Sequence, residues 1–216
     1  MPPVLNQLRG AGSEWIPNSS KRHLEAASNV GFLNILVKNR RCSLDKLRND
    51  HPGAIIVDVT SKGPEPWVRF SPFYPHGEIP VPNSPGVSSQ SVEGLWQGLK
   101  VFETADIDPG KFEIQNMKGL KRTVRRFGNC LGHRYGTEGE ELLGYREARY
   151  RLYLPAYRWV LENKLNEEMK ALLVRKAEND LILLDYETNC DVDDLSRPLS
   201  HAGLVRARLL ENWPNK

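Results

Sequence analysis

The sequence has few cysteines and none of the spacings that bind a metal. Its three cysteines, Cys42, Cys130 and Cys190, lie far apart and form no CxxC pair, so neither a disulfide framework nor a zinc knuckle is indicated. No HExxH or comparable spacing links the five histidines. We therefore expect no metal site and no cofactor.

Long apolar runs are also missing. No segment approaches the roughly 18 apolar residues of a membrane helix, and residues 1–20 lack the charged and apolar blocks of a secretory signal. The composition, 26% charged and 39% hydrophobic, is that of a globular chain. A length of 216 residues suits one core. We expect a cytoplasmic protein with no membrane partner, with a loose lead-in at 1–20 and a single domain at 21–216.

The element pattern predicts a mainly α domain with a few short β-strands. Branched apolar runs predict strands at 32–37, 54–59 and 181–186. Helical periodicity and capping residues predict helices at 20–29, 44–48, 91–102, 116–127, 140–154, 155–177 and 199–212. Residues 64–85 contain seven of the fifteen prolines and must form an extended loop.

The net charge of +3 is too small to indicate nucleic-acid binding by itself, so the distribution of charge decides. Five basic residues recur at helical spacing within 116–127 and would form one face of that predicted helix. They are Lys118, Lys121, Arg122, Arg125 and Arg126. Like charges at these spacings repel unless an anion lies against them, which favours a phosphate backbone. The alternative is a solvated helix whose charges pair with acids elsewhere.

The helix predicted at 91–102 has an unusual face. Glu93, Trp96 or Gln97, and Lys100 recur at spacings of three and four and therefore share it. A core would place apolar groups there, and a solvated face would not present tryptophan. The alternative is an ordinary amphipathic helix in which Trp96 packs inward while Glu93 and Lys100 reach water.

This helix and the loop before it resemble a known family. The loop reads Phe70-Ser71-Pro72-Phe73-Tyr74, and the helix reads Ser91-x-Glu93-x-x-Trp96-Gln97-Gly98-x-Lys100-x-Phe102. Together they resemble the NADAR (NAD- and ADP-ribose-associated) pattern, an F-S-x-F-Y loop followed by a helix reading S-x-E-H-Y-[FW]-Q-A-x-K-F. The chain departs from that pattern at Gly94 and Leu95, where many members have histidine and tyrosine.

The resemblance implies a multihelical, YbiA-like fold and an N-glycosidase-type hydrolase. Members of the family remove ADP-ribose from guanine in DNA or cleave an N-glycosidic bond in a riboflavin-pathway intermediate. The expected partner is ADP-ribose or a related ribose-phosphate nucleotide, including ADP-ribosylated DNA. A small phosphoribosyl metabolite is an alternative substrate, and a non-catalytic ADP-ribose, nucleotide or nucleic-acid binding module is an alternative function.

The expected chemistry assigns each candidate residue a role. Breaking a ribosyl N-glycosidic bond passes through an oxocarbenium-like state that a carboxylate stabilises, and Glu93 is the candidate. Lys100, about 10 Å along the helix, would hold a phosphate or a ribose hydroxyl, and Asp191 would act as the second acid. The expected ligand-binding residues are Phe70, Ser71, Phe73, Tyr74, Trp96, Gln97, Asp185, Lys121, Arg122 and Arg125. A deeply buried Glu93 would favour catalysis, whereas a solvated one would favour the binding module.

Overall fold

Short strands and helices alternate along residues 34–215, the part of the chain that the computed structural model describes. These residues belong to one compact unit, Leu33–Lys216. The strands are β1 (Ile35–Asn39), β2 (Ile55–Asp58), β3 (Ile79–Pro80), β4 (Ser88–Ser89), β5 (Lys100–Phe102), β6 (Cys130–Arg134), β7 (Leu142–Leu143) and β8 (Leu181–Asp185). The α-helices are α1 (Leu44–Asp50), α2 (Val92–Gly98), α3 (Val124–Phe127), α4 (Tyr145–Ala148), α5 (Leu154–Asn163), α6 (Asn166–Glu178) and α7 (His201–Leu209). Trp67–Phe70 and Pro109–Lys111 form 3-10 turns, and Arg149–Tyr153 forms a π-helical turn.

Three parallel strands form the central sheet in the order β1-β8-β2. All five residues of β8 are buried, as expected for a parallel strand covered on both faces. Its side chains alternate between two apolar clusters. Leu181 and Leu183 belong to the large core, whereas Ile182 and Leu184 pack with Leu47 of α1. Because α7 contacts β1 and β8, helices cover both faces, and the carboxyl ends of the strands are left for a site.

The described residues are mixed α/β, not mainly α as predicted. The strands predicted at 54–59 and 181–186 are present as β2 and β8. However, β5, β6 and β7 form an antiparallel sheet that the sequence pattern did not predict. The helix predicted at 91–102 ends at Gly98, because Val101 and Phe102 pair with residues of β6 instead. β-branched and aromatic residues such as these two favour strands.

The helix predicted at 116–127 is wrong except for its last turn, α3. The Asn116 side chain accepts a hydrogen bond from the Lys118 backbone at 2.8 Å, forming a local turn that competes with a helix. Gly119 then has a φ of 70°, in the left-handed region. Leu120 and Arg122 are both buried, so tertiary contacts hold this segment.

Two other predicted helices differ in their bounds. The helix predicted at 140–154 starts at Tyr145 and passes into the π-helical turn. The segment 155–177 forms two helices, since α5 ends at Asn163 and α6 begins at Asn166. The predicted lead-in at 1–20 and the helix at 20–29 lie outside the described residues. Between residues 34 and 215, no helix has the length and apolar character needed to cross a membrane.

Candidate functional site

A cavity of about 470 Å³ opens at the carboxyl ends of β2 and β8. Thr60 and Ser61, which follow β2, and Asp185 to Glu187, at the end of β8, form one wall. Ligands of open α/β sheets bind at this edge, outside the carboxyl ends of the strands. The position of the cavity is therefore set by the parallel sheet.

The opposite wall comes from α2 and the proline-rich loop. The N-cap Ser91 accepts a hydrogen bond from the Gly94 backbone at 3.0 Å and starts the helix. The Glu93 backbone N–H then donates to the carbonyl oxygen of Pro72 at 2.8 Å. This bond fixes the loop across the first turn of α2. It explains how Ser71, Pro72 and Phe73 come to line the same cavity as Glu93.

Close packing accounts for the glycine at position 94. A Cβ atom there would lie 2.6 Å from the Lys111 carbonyl oxygen and 3.0 Å from Ser91 Oγ. The histidine that many NADAR members have at this position would clash with that backbone. The Pro109–Lys111 turn therefore occupies the space that such a side chain would need.

Glu93 is buried, with 8% of its surface exposed. Its Oε1 atom accepts a hydrogen bond from Gln97 Nε2 at 2.8 Å, and Gln97 Oε1 accepts one from the Arg122 backbone at 3.0 Å. Within residues 34–215, Oε2 accepts none. Burial raises the pKa of Glu93, while the Gln97 hydrogen bond and the charges of Lys100 and Lys121 oppose the rise. One carboxylate oxygen is thus held in place, and the other has no donor among the described residues.

Lys100 also lines the cavity, but from β5 and not from the helix face that was predicted. Its ammonium group makes no hydrogen bond or ion pair with any residue of the described range. Burial lowers the pKa of Lys100, and the nearby Glu93 carboxylate opposes this. The cavity therefore contains a half-buried cation that has Glu93 nearby but forms no hydrogen bond or ion pair with residues 34–215.

The predicted basic face does not exist, because its residues do not share a helix. Arg122 is buried and donates hydrogen bonds to the carbonyl oxygens of Lys100, at 2.7 Å, and Asp106, at 2.6 Å. Lys121 lies over the Phe73 ring at 5.7 Å and lines the cavity. Arg125 lies exposed on α3, away from it.

Nine of the predicted site residues line this one cavity. They are Ser71, Phe73, Glu93, Trp96, Gln97, Lys100, Lys121, Arg122 and Asp185. The others are elsewhere. Phe70 is fully buried in the core, and Tyr74 packs against His76 with ring centroids 4.8 Å apart. Asp191 lines a separate cavity of about 320 Å³, and its Oδ1 accepts the Asp193 backbone N–H.

The sequence reasoning missed an aromatic and cationic wall of the cavity. Tyr145, Arg149 and Tyr153 line it and recur every four residues, a spacing that marks one helix face and was available as a signal. The Arg149 guanidinium donates to the carbonyl oxygens of Val192 and Arg197, at 2.8 and 2.7 Å. It therefore holds the loop after β8 against the helix.

Asp185 forms a buried ion pair with His201, the first residue of α7. His201 Nδ1 lies 3.0 Å from Asp185 Oδ2, and His201 Nε2 lies 2.9 Å from the Val59 carbonyl oxygen. Both partners are acceptors, so the imidazole satisfies both only as an imidazolium. Burial lowers the pKa of His201. The charge of Asp185 and its hydrogen bond raise this pKa by more than burial lowers it, so the net change is upward.

The same contacts keep Asp185 ionised. Burial tends to raise the pKa of Asp185, yet His201 and the hydrogen bonds from Ser200 and the Ala202 backbone together lower it to about 2. The Tyr186 backbone N–H donates to its other oxygen at 2.7 Å. The carboxylate is saturated by protein donors, so it shapes the cavity wall and has little capacity left for a ligand.

A family model described as a family of unknown function (DUF6939) matches residues 39–205. Because the match spans more than half of the 216 residues, the chain belongs to this family. All residues that line the cavity fall within the matched range. No curated protein and no solved structure matches the chain. The resemblance to NADAR proteins stays a prediction.

Proposed function

We propose that this DUF6939 protein hydrolyses the N-glycosidic bond of a ribose-phosphate nucleotide. One observation carries the proposal: a buried glutamate and an ammonium group share a cavity, and within the described residues one glutamate oxygen and the ammonium have no hydrogen-bond partner. Glu93 supplies the carboxylate and Lys100 the ammonium. This is the buried arrangement of Glu93, beside Phe73 and Lys100, for which a catalytic role was predicted.

The chemistry uses the two groups differently. Glu93 stabilises the positive charge that develops at the anomeric carbon, or orients the attacking water. Burial raises the pKa of Glu93, while the charges of Lys100 and Lys121 favour the carboxylate that this role requires. Lys100 and Lys121 bind phosphate as point charges. Phe73, with Lys121 over its ring, forms an aromatic wall.

A purely structural role for Glu93 does not account for its second oxygen, which accepts no hydrogen bond from the described residues. Burying a carboxylate is costly unless its oxygens are paired, and the buried Asp185, which has a structural role, has donors on both. Glu93 has a single donor, from Gln97. This contrast favours catalysis over the binding-module alternative.

The site supports a small nucleotide more than a polynucleotide. The preference for a polynucleotide over a small nucleotide depended on a basic helix face, and residues 116–123 do not form a helix. A cavity of about 470 Å³ lies in the range of small-molecule sites. We therefore propose ADP-ribose attached to a nucleobase, or a smaller phosphoribosyl compound, as the substrate class.

ADP-ribose is expected to raise the melting temperature of the nucleotide-free protein. A ligand that binds only the folded state at 100 times its Kd stabilises that state by about 2.7 kcal/mol. For a domain of this size this corresponds to a shift of roughly 5–10 °C. Differential scanning fluorimetry measures the shift, with ribose lacking phosphate as the control ligand. No shift at millimolar ADP-ribose would argue strongly against the proposed substrate class.

The effect of lysine and arginine substitutions on KM can distinguish a small nucleotide substrate from a polynucleotide. We expect Lys121→Ala to raise KM for an ADP-ribosylated nucleoside about tenfold, a loss of about 1.4 kcal/mol. Lys118→Ala, an exposed lysine of the same segment, is the matched control and should change nothing. Arg125→Ala should leave KM and its salt dependence unchanged on an ADP-ribosylated oligonucleotide. A flattened salt dependence for Arg125→Ala would instead restore the polynucleotide as substrate.

A further inference from the structure

The hydroxyl group of Tyr153 is an unpaired donor in the cavity. Tyr153 lines the cavity at the end of the π-helical turn Arg149–Tyr153. Its ring is held on two sides, edge-on to Trp96 with centroids 5.5 Å apart and stacked on Tyr157 at 6.2 Å. Throughout residues 34–215, the hydroxyl has no hydrogen-bond partner, and its oxygen is still accessible to solvent. π-helical turns are frequent at functional sites.

The cavity brings two sets of side chains to Glu93. One set is cationic: the charges of Lys100 and Lys121 oppose the rise in the pKa of Glu93, and Lys121 lies over the Phe73 ring. The other set is aromatic and includes Tyr153, on which the charges of Glu93 and Asp185 act. Burial, with those two carboxylates, raises the pKa of Tyr153 well above its ordinary value, so the hydroxyl keeps its proton. The aromatic set therefore offers a neutral donor and ring faces.

We propose that Trp96, Tyr145 and Tyr153 form the leaving-base subsite, in which the Tyr153 hydroxyl donates a hydrogen bond to the departing base. This inference rests on the proposed function. A nucleotide whose phosphate binds Lys121 beside Phe73 and whose anomeric carbon lies at Glu93 has an aromatic cluster in the same cavity for its base. Trp96 has ring centroids 5.9 Å from Tyr145 and 5.5 Å from Tyr153, so the three rings form one cluster.

The step balances without oxidant or metal. The bond between the anomeric carbon and the base nitrogen breaks, and its electron pair remains on the base. Water adds hydroxide to the anomeric carbon and its remaining proton goes to the base. Tyr153 stays protonated throughout and stabilises the negative charge that accumulates on the base by a hydrogen bond. In this arrangement the Tyr153 hydroxyl donates a hydrogen bond to an acceptor atom of the base and does not contact the ribose phosphate.

The test compares Tyr153→Phe with Tyr157→Phe in the full chain. The Tyr157 hydroxyl donates to the Phe70 carbonyl oxygen at 2.6 Å, so its removal should lower the melting temperature and leave substrate selection intact. Tyr153→Phe should keep its stability and lose activity. Its melting temperature and its Kd for free ADP-ribose should equal those of the wild type. Its kcat for guanine release from ADP-ribosyl-guanosine should fall about tenfold to a hundredfold, in line with the loss of one transition-state donor.

Guanine binding in the presence of saturating ADP-ribose separates this inference from the proposed function. Tyr153→Phe should weaken guanine binding about tenfold by calorimetry, whether or not the wild type turns over substrate. If the wild type binds both ADP-ribose and guanine but releases no base, the proposed hydrolase function is wrong, while the base subsite is still supported. Equal kcat and equal guanine affinity in wild type and Tyr153→Phe would overturn the subsite, and so would a loss of ADP-ribose affinity. A wild type that binds neither ligand would overturn both.

Discussion

Replacing Glu93 by glutamine is expected to lower kcat for base release by about 100- to 1,000-fold while the protein remains folded. A preorganised group that stabilises charge in a transition state contributes an effect of about this size. Glutamine keeps the shape of the side chain and can still accept the hydrogen bond from Gln97 through its carbonyl oxygen. It cannot carry the negative charge that an oxocarbenium-like state requires. The measurement is guanine release from ADP-ribosyl-guanosine under saturating substrate.

Although Glu93→Gln should lose activity, its melting temperature should stay the same or rise. The folded-state pKa of Glu93 is raised above the ordinary value of 4.5, so the charged form destabilises the folded protein above that pH. An amide has no such cost, and Glu93→Gln should melt at the same or a higher temperature at pH 7. Glu113→Gln, at an exposed glutamate, is the matched control and should keep full activity. Wild-type turnover by a folded Glu93→Gln protein would remove Glu93 from the mechanism.

The part of the site that lies close together in sequence was the part that could be predicted. Phe73, Glu93, Trp96 and Gln97 fall within 25 residues of one another, and a short motif with helical spacing is enough to group them. Lys100 was assigned to the cavity for the wrong reason. It arrives there because the helix ends at Gly98 and the chain turns into β5.

Contacts between distant segments explain what the sequence could not show. Tyr145 and Tyr153 reach the cavity only because their helix packs against α2, a contact that no local pattern encodes. The loop after β8 was expected to bring Asp191 to the site. Instead, Asn189 Nδ2 donates to the Asp194 carbonyl oxygen at 3.0 Å and the loop folds on itself, so Asp191 lies at another cavity.

The basic segment shows how periodicity misleads when tertiary contacts oppose it. Its charges recur as on a helix, yet Arg122 is drawn inward to the carbonyl oxygens of Gln97, Lys100 and Asp106. These oxygens lie at the end of α2 and beyond, where helix carbonyls lack intrahelical partners. Arg122 satisfies them from a segment, 116–123, that forms no helix. The charge pattern alone cannot distinguish this use of arginine from phosphate binding.

Replacing Asp185 by asparagine is expected to destabilise the folded protein by about 3–5 kcal/mol, the usual cost of breaking a buried ion pair. The change leaves the His201 imidazolium without its counterion in a site where 3% of Asp185 and 8% of His201 are exposed. It also weakens the start of α7, where Asp185 accepts from Ser200 and the Ala202 backbone. Urea unfolding at pH 5.5 measures the loss. Asp191→Asn, at an exposed aspartate, is the matched control and should lie close to the wild type.

The pH dependence of that loss identifies the ion pair as its cause. Asp185 has a folded pKa of about 2, below its ordinary 3.8, so its contribution is present above pH 3.8 and is lost as the pH falls towards 2. His201 has a folded pKa raised above 6.5, so its contribution is full below pH 6.5 and is lost as the pH rises through the folded value. The difference between wild type and Asp185→Asn should therefore be largest between about pH 4 and 6.5 and shrink on both sides. In a double-mutant cycle with His201→Gln, the two losses should not add, because either change alone breaks the same pair. A difference that stays constant from pH 4 to 9, with additive losses, would mean that Asp185 stabilises the fold through its backbone and serine hydrogen bonds and that His201 is neutral.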